Sequence, residues 1–286
     1  MAPSSVKSVQ IKKISTESSK DKLDLLAVEE PLEIRLAFGP SKNRVQKSLA
    51  VTMRTPGNDF ELVYGFLYSE GIIKNKADVV SMKYCFDKDK LQEQENIIRV
   101  ELHPELKFDP KQLERHFYTN SSCGVCGKSS IESIASQCNL ETDENTRIDG
   151  TILYSLPDKL RASQHIFEHT GGIHACGLFD NEGNLLLMRE DIGRHNAMDK
   201  LIGAAFYNEI LPLKNKLILL SGRCSFELVQ KALTAGTPVM VSVGAPSSLA
   251  VDLAEDYNMS LVGFLKTKSY NIYTAKERIL TKEFSS

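Results

Sequence analysis

Hydrophobic residues follow two rhythms along this chain. In the first third they come in short alternating runs. Leu32, Ile34, Leu36 and Phe38 fall two apart, the spacing of a strand with one covered face. Shorter extended runs are expected at 24–28 and 49–54. Thr55-Pro-Gly-Asn-Asp59 then reads as a turn into a helix, with Phe60, Val63, Tyr64 and Leu67 on one face and Gly71 ending it. Residues 79–86 and 96–102 predict a strand pair around the charged loop 87–95, and a short amphipathic piece follows at 110–117. Residues 1–20 are rich in Ser and Lys and are expected to form a loose tail with one edge strand at 9–14.

The second half is more regular. Residues 157–169 predict a helix closed by Gly171-Gly172, and 173–179 with 185–189 a hairpin across Asp180-Asn-Glu-Gly183. A helix follows at 196–207. Then come strand 216–220, helix 226–235, strand 239–243, helix 249–256 and strand 260–265. Strands and helices that alternate over short links define an α/β class, here a mixed, mostly parallel sheet covered by helices. The chain therefore divides into the tail, a smaller β-rich α+β part at 21–120, a segment at 121–150 holding a cysteine loop, a helix signal and a polar connector, and an α/β domain at 151–286. No internal repeat is visible.

Composition narrows the possible functions. The 286 residues suit two modest domains or one large one. Hydrophobic residues at 42% and charged residues at 25% allow a substantial core. A net charge of -2 gives no support for general nucleic-acid binding, and the absence of Trp leaves no evident base-stacking surface. An anionic ligand must then be met by local basic groups. No run of ~18 apolar residues predicts a membrane span, and the N-terminus shows no apolar signal core. Cys85, Cys123, Cys126, Cys138, Cys176 and Cys224 are too dispersed for a disulfide framework. A reducing, cytoplasmic setting is expected, in which paired thiols are catalytic or metal-binding.

The pair is in Asn120-Ser-Ser-Cys123-Gly-Val-Cys126-Gly-Lys-Ser. Small neighbours leave both thiols accessible. A helix signal follows, with Ile131 and Ile134 three apart, and the partial positive charge of a helix N-terminus favours thiolate over thiol. Free cysteine titrates near ~8.5, and such surroundings bring it to roughly 3.5–7.5. Lys128 adds to that pull. The spacing alone is open between half a zinc site, a thioredoxin-like dithiol, a sulfur relay and an inert pair. His103-Pro104-Glu105 upstream echoes the zinc deaminase pattern, but Ser122 stands where that pattern has proline.

A second constellation lies in the α/β part. Gly172-Ile-His174 and Glu190-Asp191-Ile-Gly193-Arg194-His195-Asn196 fall at element ends. Asp191 is placed to cap the next helix, with Arg194 and His195 near its first turn, where N–H groups attract anions. His174 either orients a ligand or fills a packed site. Ser221-Gly222-Arg223, Gly244-Ala-Pro-Ser247-Ser248 and Phe264-Leu-Lys266-Thr267-Lys268-Ser269 each follow a strand. Ligands of open α/β sheets bind beyond the carboxyl ends of the strands, so these loops are expected to share a crevice suited to phosphates. The alternatives are an ordinary capping network and ordinary strand-to-helix loops.

Taken together, Ser122-Cys123-Gly-Val-Cys126-Gly, Thr170-Gly-Gly-Ile-His174-Ala, Glu190-Asp191-Ile-Gly-Arg194-His195-Asn196-Ala-Met-Asp199-Lys200, Ser221-Gly-Arg223 with Ser225-Phe-Glu-Leu-Val-Gln-Lys231, and Gly244-Ala-Pro-Ser-Ser-Leu-Ala resemble the FdhD family. These are the sulfur-carrier accessory proteins of formate dehydrogenase. The resemblance runs from about residue 30 onward. It implies a three-layer, cytidine deaminase-like α/β fold without zinc chemistry or a resident metal. It implies a sulfurtransferase that accepts persulfide sulfur from a cysteine desulfurase. That sulfur passes to the molybdenum bis(molybdopterin guanine dinucleotide) cofactor of formate dehydrogenase. By the same resemblance Cys123 carries the persulfide and Cys126 assists. Phe264, Leu265, Lys266, Thr267, Lys268 and Ser269 contact the cofactor, Arg194, His195, Arg223 and His174 are expected to add donors, and the protein is a homodimer. A zinc-dependent deaminase-like hydrolase and a non-catalytic cofactor chaperone are the competing readings. Two features depart from the family pattern. Cys176 and Cys224 stand where small non-thiol residues are common, and lysine replaces an arginine often found in the basic segment, which exchanges bidentate for point-charge phosphate binding.

Overall fold

The computed structural model describes residues 4–85, 95–106, 108 and 145–281. Its strands are β1 Val6–Ile14, β2 Ser19–Ala27, β3 Glu30–Phe38, β4 Val45–Arg54, β5 Val79–Tyr84, β6 Ile97–Leu102, β7 Ile148–Asp149, β8 His174–Asp180, β9 Leu185–Asp191, β10 Lys216–Leu220, β11 Val239–Ser242, β12 Ser260–Gly263, β13 Asn271–Ile272 and β14 Ile279–Leu280. The α-helices are α1 Asp59–Ser69, α2 Gly150–Leu153, α3 Leu156–Ala162, α4 His165–Thr170, α5 Arg194–Tyr207, α6 Phe226–Thr234 and α7 Ser248–Asp256.

The larger sheet runs β13-β12-β11-β10-β8-β9. Its strands bury side chains on both faces, which explains their continuous apolar runs. Period two then sorts them. From β10, Ile218 and Leu220 join Leu201, Leu228, Val229 and Leu253 of α5, α6 and α7. Leu217 and Leu219 face the other way, onto Leu153, Leu156 and Leu160 of α2 and α3. The result is three layers, helices over sheet over helices.

The smaller sheet runs β4-β3-β6-β5, with β3 and β6 parallel. Leu32, Ile34 and Leu36 pack on Leu62, Val63 and Leu67 of α1, and Phe206 of α5 closes this core. The two parts join where α1 crosses α5, glycine against glycine. A Cβ on Gly65 would lie 1.8 Å from the Asp199 carbonyl oxygen, and one on Gly203 would lie 1.7 Å from that of Glu61. No side chain fits at either position.

Three expectations are corrected. The sheet is mixed, as expected, but not mostly parallel. Only β10, β11 and β12 run parallel, while β8, β9 and β13 join antiparallel; a tight turn between β8 and β9 permits no other direction. The strand expected at 9–14 is present, but it begins at Val6 and pairs with β2 in a hairpin closed through Ser15 and Ser18, where a loose tail was expected around it. The helix expected over 157–169 breaks at Gln164, whose backbone turns to φ -84, ψ 86. There the Glu190 carboxylate accepts the Ile166 and Phe167 N–H groups at 3.0 Å each, so a strand side chain caps α4.

Candidate functional site

The parallel strands end at one edge of the larger sheet, and backbone bonds hold their loops together beyond it. Phe264 donates its N–H to the Gly244 carbonyl at 3.1 Å, and Gly244 donates to the Gly222 carbonyl at 3.0 Å. Gly244 needs to be glycine, because a Cβ there would stand 2.8 Å from the Arg223 nitrogen. Since β8 runs against β10, His174 at its start arrives at the same edge. Its Nδ1 would lie 3.1 Å from a Cβ on Gly222. The expected convergence of the three loops is therefore present.

Four basic side chains gather here. Burial first, then Arg194, Arg223 and His195, push His174 below its ordinary value, with Asp191 opposing. His174 is thus favoured as a neutral imidazole near pH 7. His195 Nε2 lies 3.2 Å from Ser225 Oγ and 3.7 Å from the Glu227 carboxylate. Arg194 places its Nε out of solvent without a hydrogen-bond partner. Arg223 is exposed.

The segment at 264–269 divides sharply. Phe264 sits at φ 52, a left-handed conformation unusual for a bulky residue, and remains 43% exposed. Leu265 does not join it: at 1% exposure it belongs to the core with Val241 and Val262. The expected ligand contact of Leu265 is therefore not offered by its side chain, which turns inward after the left-handed Phe264. Lys266, Thr267, Lys268 and Ser269 form an exposed turn, closed by the Lys266 N–H on the Ser269 carbonyl at 2.8 Å. Cys123 and Cys126, the helix signal behind them and the piece at 110–117 lie outside the described residues.

Other polar groups of the motifs are structural. Asp191 does not cap α5, whose N-cap is Gly193. Its carboxylate accepts the Gly193 and Thr55 N–H groups and pairs with Lys200 at 2.7 Å, both charges buried. Asn196 bridges Asp191 and the Met53 carbonyl. Ser221 Oγ accepts the Ala175 N–H, and Ser247 Oγ caps α7 by accepting that of Ala250. These hydroxyls are committed to backbone.

A second buried pair joins Asp199 to Lys231 at 2.7 Å. Burial raises the Asp199 carboxyl, and it works against the Lys231 ammonium, but Asp199 and Glu70 outweigh it and raise Lys231. That raised ammonium is the direction consistent with a closed ion pair. Burial also pushes the Cys176 thiol up, and that of Cys224 to about 12. Both sulfurs lie in the core and behave as small hydrophobes. His103 follows β6 and accepts the Glu105 N–H. Among the described residues no group of three His, Cys, Asp or Glu side chains is arranged to hold a metal, and no helix is long and apolar enough to cross a membrane.

A surface cleft of about 440 Å³ lies elsewhere, walled by Phe60, Tyr64, Met82 and Tyr207. Its walls carry no arginine or histidine, so it offers an anion no partner. Glu227 is the residue that sequence reasoning missed. An acid just inside a helix that starts at a strand's carboxyl end was the available signal.

Fold and site together define an α/β protein with basic side chains gathered beyond its parallel strands. The FdhD/NarQ family model matches residues 27–280, and the chain belongs to this family. "Sulfur carrier protein FdhD" of Streptomyces coelicolor is 46% identical over 262 residues, covering 90% of this chain and 89% of the relative. Its counterpart in Sulfurisphaera tokodaii is 41% identical over 276 residues, covering 96% and 99%. A solved structure from Desulfotalea psychrophila, assigned as a formate dehydrogenase accessory protein, superposes with a TM-score of 0.69 at 22% identity, covering 96% of this chain and 99% of that one. At that identity the likeness is one of fold.

Proposed function

We propose that this protein is a sulfur carrier that serves formate dehydrogenase. It takes persulfide sulfur from a cysteine desulfurase and passes it to the molybdenum bis(molybdopterin guanine dinucleotide) cofactor, its substrate. The supporting observation is the gathering of Arg194, His195, Arg223 and His174 beside the exposed Phe264, in a chain whose relatives carry the name sulfur carrier protein. Diphosphates of the guanine dinucleotides would meet the arginines and His195. Phe264 offers a face to a planar ring, and Lys266 and Lys268 extend the positive rim. The larger sheet is read as cytidine deaminase-like, with a hairpin followed by three parallel strands. The protein is expected to act in the cytoplasm as a homodimer.

Cys123 does the chemistry in this reading, as a sulfurtransferase. Its thiolate attacks the outer sulfur of the desulfurase persulfide. The donor S–S bond breaks, the donor cysteine leaves as thiolate, and a Cys123 persulfide forms. Attack by Cys126 on the inner sulfur then releases sulfide and forms a Cys123–Cys126 disulfide, which a thiol reductant reopens.

Intact mass after incubation with a desulfurase and cysteine tests the reading. A gain of about 32 mass units, one sulfur, is expected in the wild type and is lost in Cys123→Ala. Cys126→Ala is expected to load sulfur and fail to deliver it. If Cys123→Ala still activates formate dehydrogenase, the protein is a cofactor chaperone. Stoichiometric zinc by elemental analysis would instead favour the deaminase-like reading.

A further inference from the structure

Glu227 sits where a phosphate-binding crevice has least use for it. Its carboxylate oxygen lies 3.7 Å from His195 Nε2, the same nitrogen that faces Ser225 Oγ at 3.2 Å. The arrangement is not a nucleophilic triad. In a triad the hydroxyl and the carboxylate occupy opposite nitrogens of the ring; here they share one. Nor is Glu227 part of the buried networks. Its side chain is 61% exposed, whereas Asp191 and Asp199 are enclosed and locked by lysines at 2.7 Å.

The surroundings make this acid a stand-in for an anion. His195, then its own backbone N–H and Ser225, hold the Glu227 carboxyl down to about 2 against a partial burial that raises it. It is therefore charged at neutral pH. Arg194, Arg223 and His174 border the same space. Ser225 occupies the N-cap position of α6, and its hydroxyl makes no cap bond but faces His195 at 3.2 Å. Glu227 reaches His195 on a flexible arm at 3.7 Å, longer than a made hydrogen bond. The more exposed group at the longer distance is the one that can leave.

We propose that Glu227 is a displaceable counter-anion of the crevice: ligand phosphate replaces its carboxylate at His195, and its return favours release. This rests on the reading of the crevice as a guanine dinucleotide site and deepens it. A carrier must give up what it binds. A tethered carboxylate competing for one ring nitrogen weakens holding without removing the donors that give orientation.

Guanosine diphosphate is the probe, with affinity measured by titration calorimetry on the full chain. Glu227→Gln is expected to tighten binding about twofold to fivefold, the effect of losing one exposed ion pair. The gain should shrink with rising salt. In a His195→Ala background the same substitution is expected to change nothing, since the competition passes through that ring. Thermal unfolding confirms that each variant is folded. Unchanged or weaker binding by Glu227→Gln overturns the proposal, as does tightening that persists without His195. Wild-type protein that fails to bind the nucleotide overturns the crevice reading itself, which is a distinct result.

Discussion

Two sets of charges lie within the one segment from Glu190 to Lys200, and they do opposite things. Asp191, Asn196, Asp199 and Lys200 turn inward, are buried and are fully engaged. Arg194 and His195 turn outward, partly exposed, toward the crevice. The inward set fastens α5 to the turn after β4 and to α6. The outward set keeps contact with water and can exchange it for a ligand. A buried pair contributes position, because breaking it strands a charge. A half-exposed cation contributes binding, because its partners are replaceable. The helix start thus anchors and receives at once.

The strongest way to break this contrast is Lys200→Ala. It leaves Asp191 buried without its cation, and about 3–5 kcal/mol of stability should vanish in urea unfolding. If the loss is below 1 kcal/mol (~20% of that range), the inward set is not what fastens the halves. Adjacent residues on one loop repeat the contrast. Leu265→Ala should lower stability by about 2–5 kcal/mol, while Lys266→Ala should stay within about 0.5 kcal/mol. Equal effects would mean that Leu265 is not the core residue the fold makes it. Gly203→Ala should destabilise by about 1–3 kcal/mol or more, since the clash is with backbone that no rotamer can relieve.

Smaller effects belong to the outward set. Arg223→Ala should unfold within about 0.5 kcal/mol of wild type yet bind guanosine diphosphate about tenfold more weakly, the worth of one charged hydrogen bond. Loss of stability with unchanged affinity would reverse its role. The smallest effect is in acid. The folded Glu227 titrates at about 2 against an ordinary 4.5. A depressed carboxyl adds stability above its unfolded value, lost as pH falls from about 4.5 through about 2. Because the group is largely exposed, screening keeps this under about 1 kcal/mol. Wild type and Glu227→Gln should therefore differ slightly at pH 6 and converge near pH 2. A gap that widens in acid would contradict the assigned charge.

Local pattern carried much of this molecule. The alternation of Leu32, Ile34, Leu36 and Phe38, the helix face of Val63 and Leu67, and the alternating strands and helices after residue 215 were legible, because each depends on neighbours within a few positions. So was the convergence of the Arg223, Gly244 and Phe264 loops, which follows from where strands end in an open sheet. The motifs also sufficed to point to the family that the comparisons bear out.

Partners far apart in sequence belonged to the tertiary structure alone. Asp191 meets Thr55 and Lys200 instead of capping its helix. Glu190 reaches back to cap α4 and so breaks a helix whose local pattern looked continuous. Strand direction, the inward turn of Leu265 and the competition between Ser225 and Glu227 for one nitrogen of His195 were likewise beyond local reading. Periodicity states which positions are apolar and how often they recur. Which polar group a side chain satisfies is decided only when packing removes water from both, because that desolvation makes a specific partner obligatory.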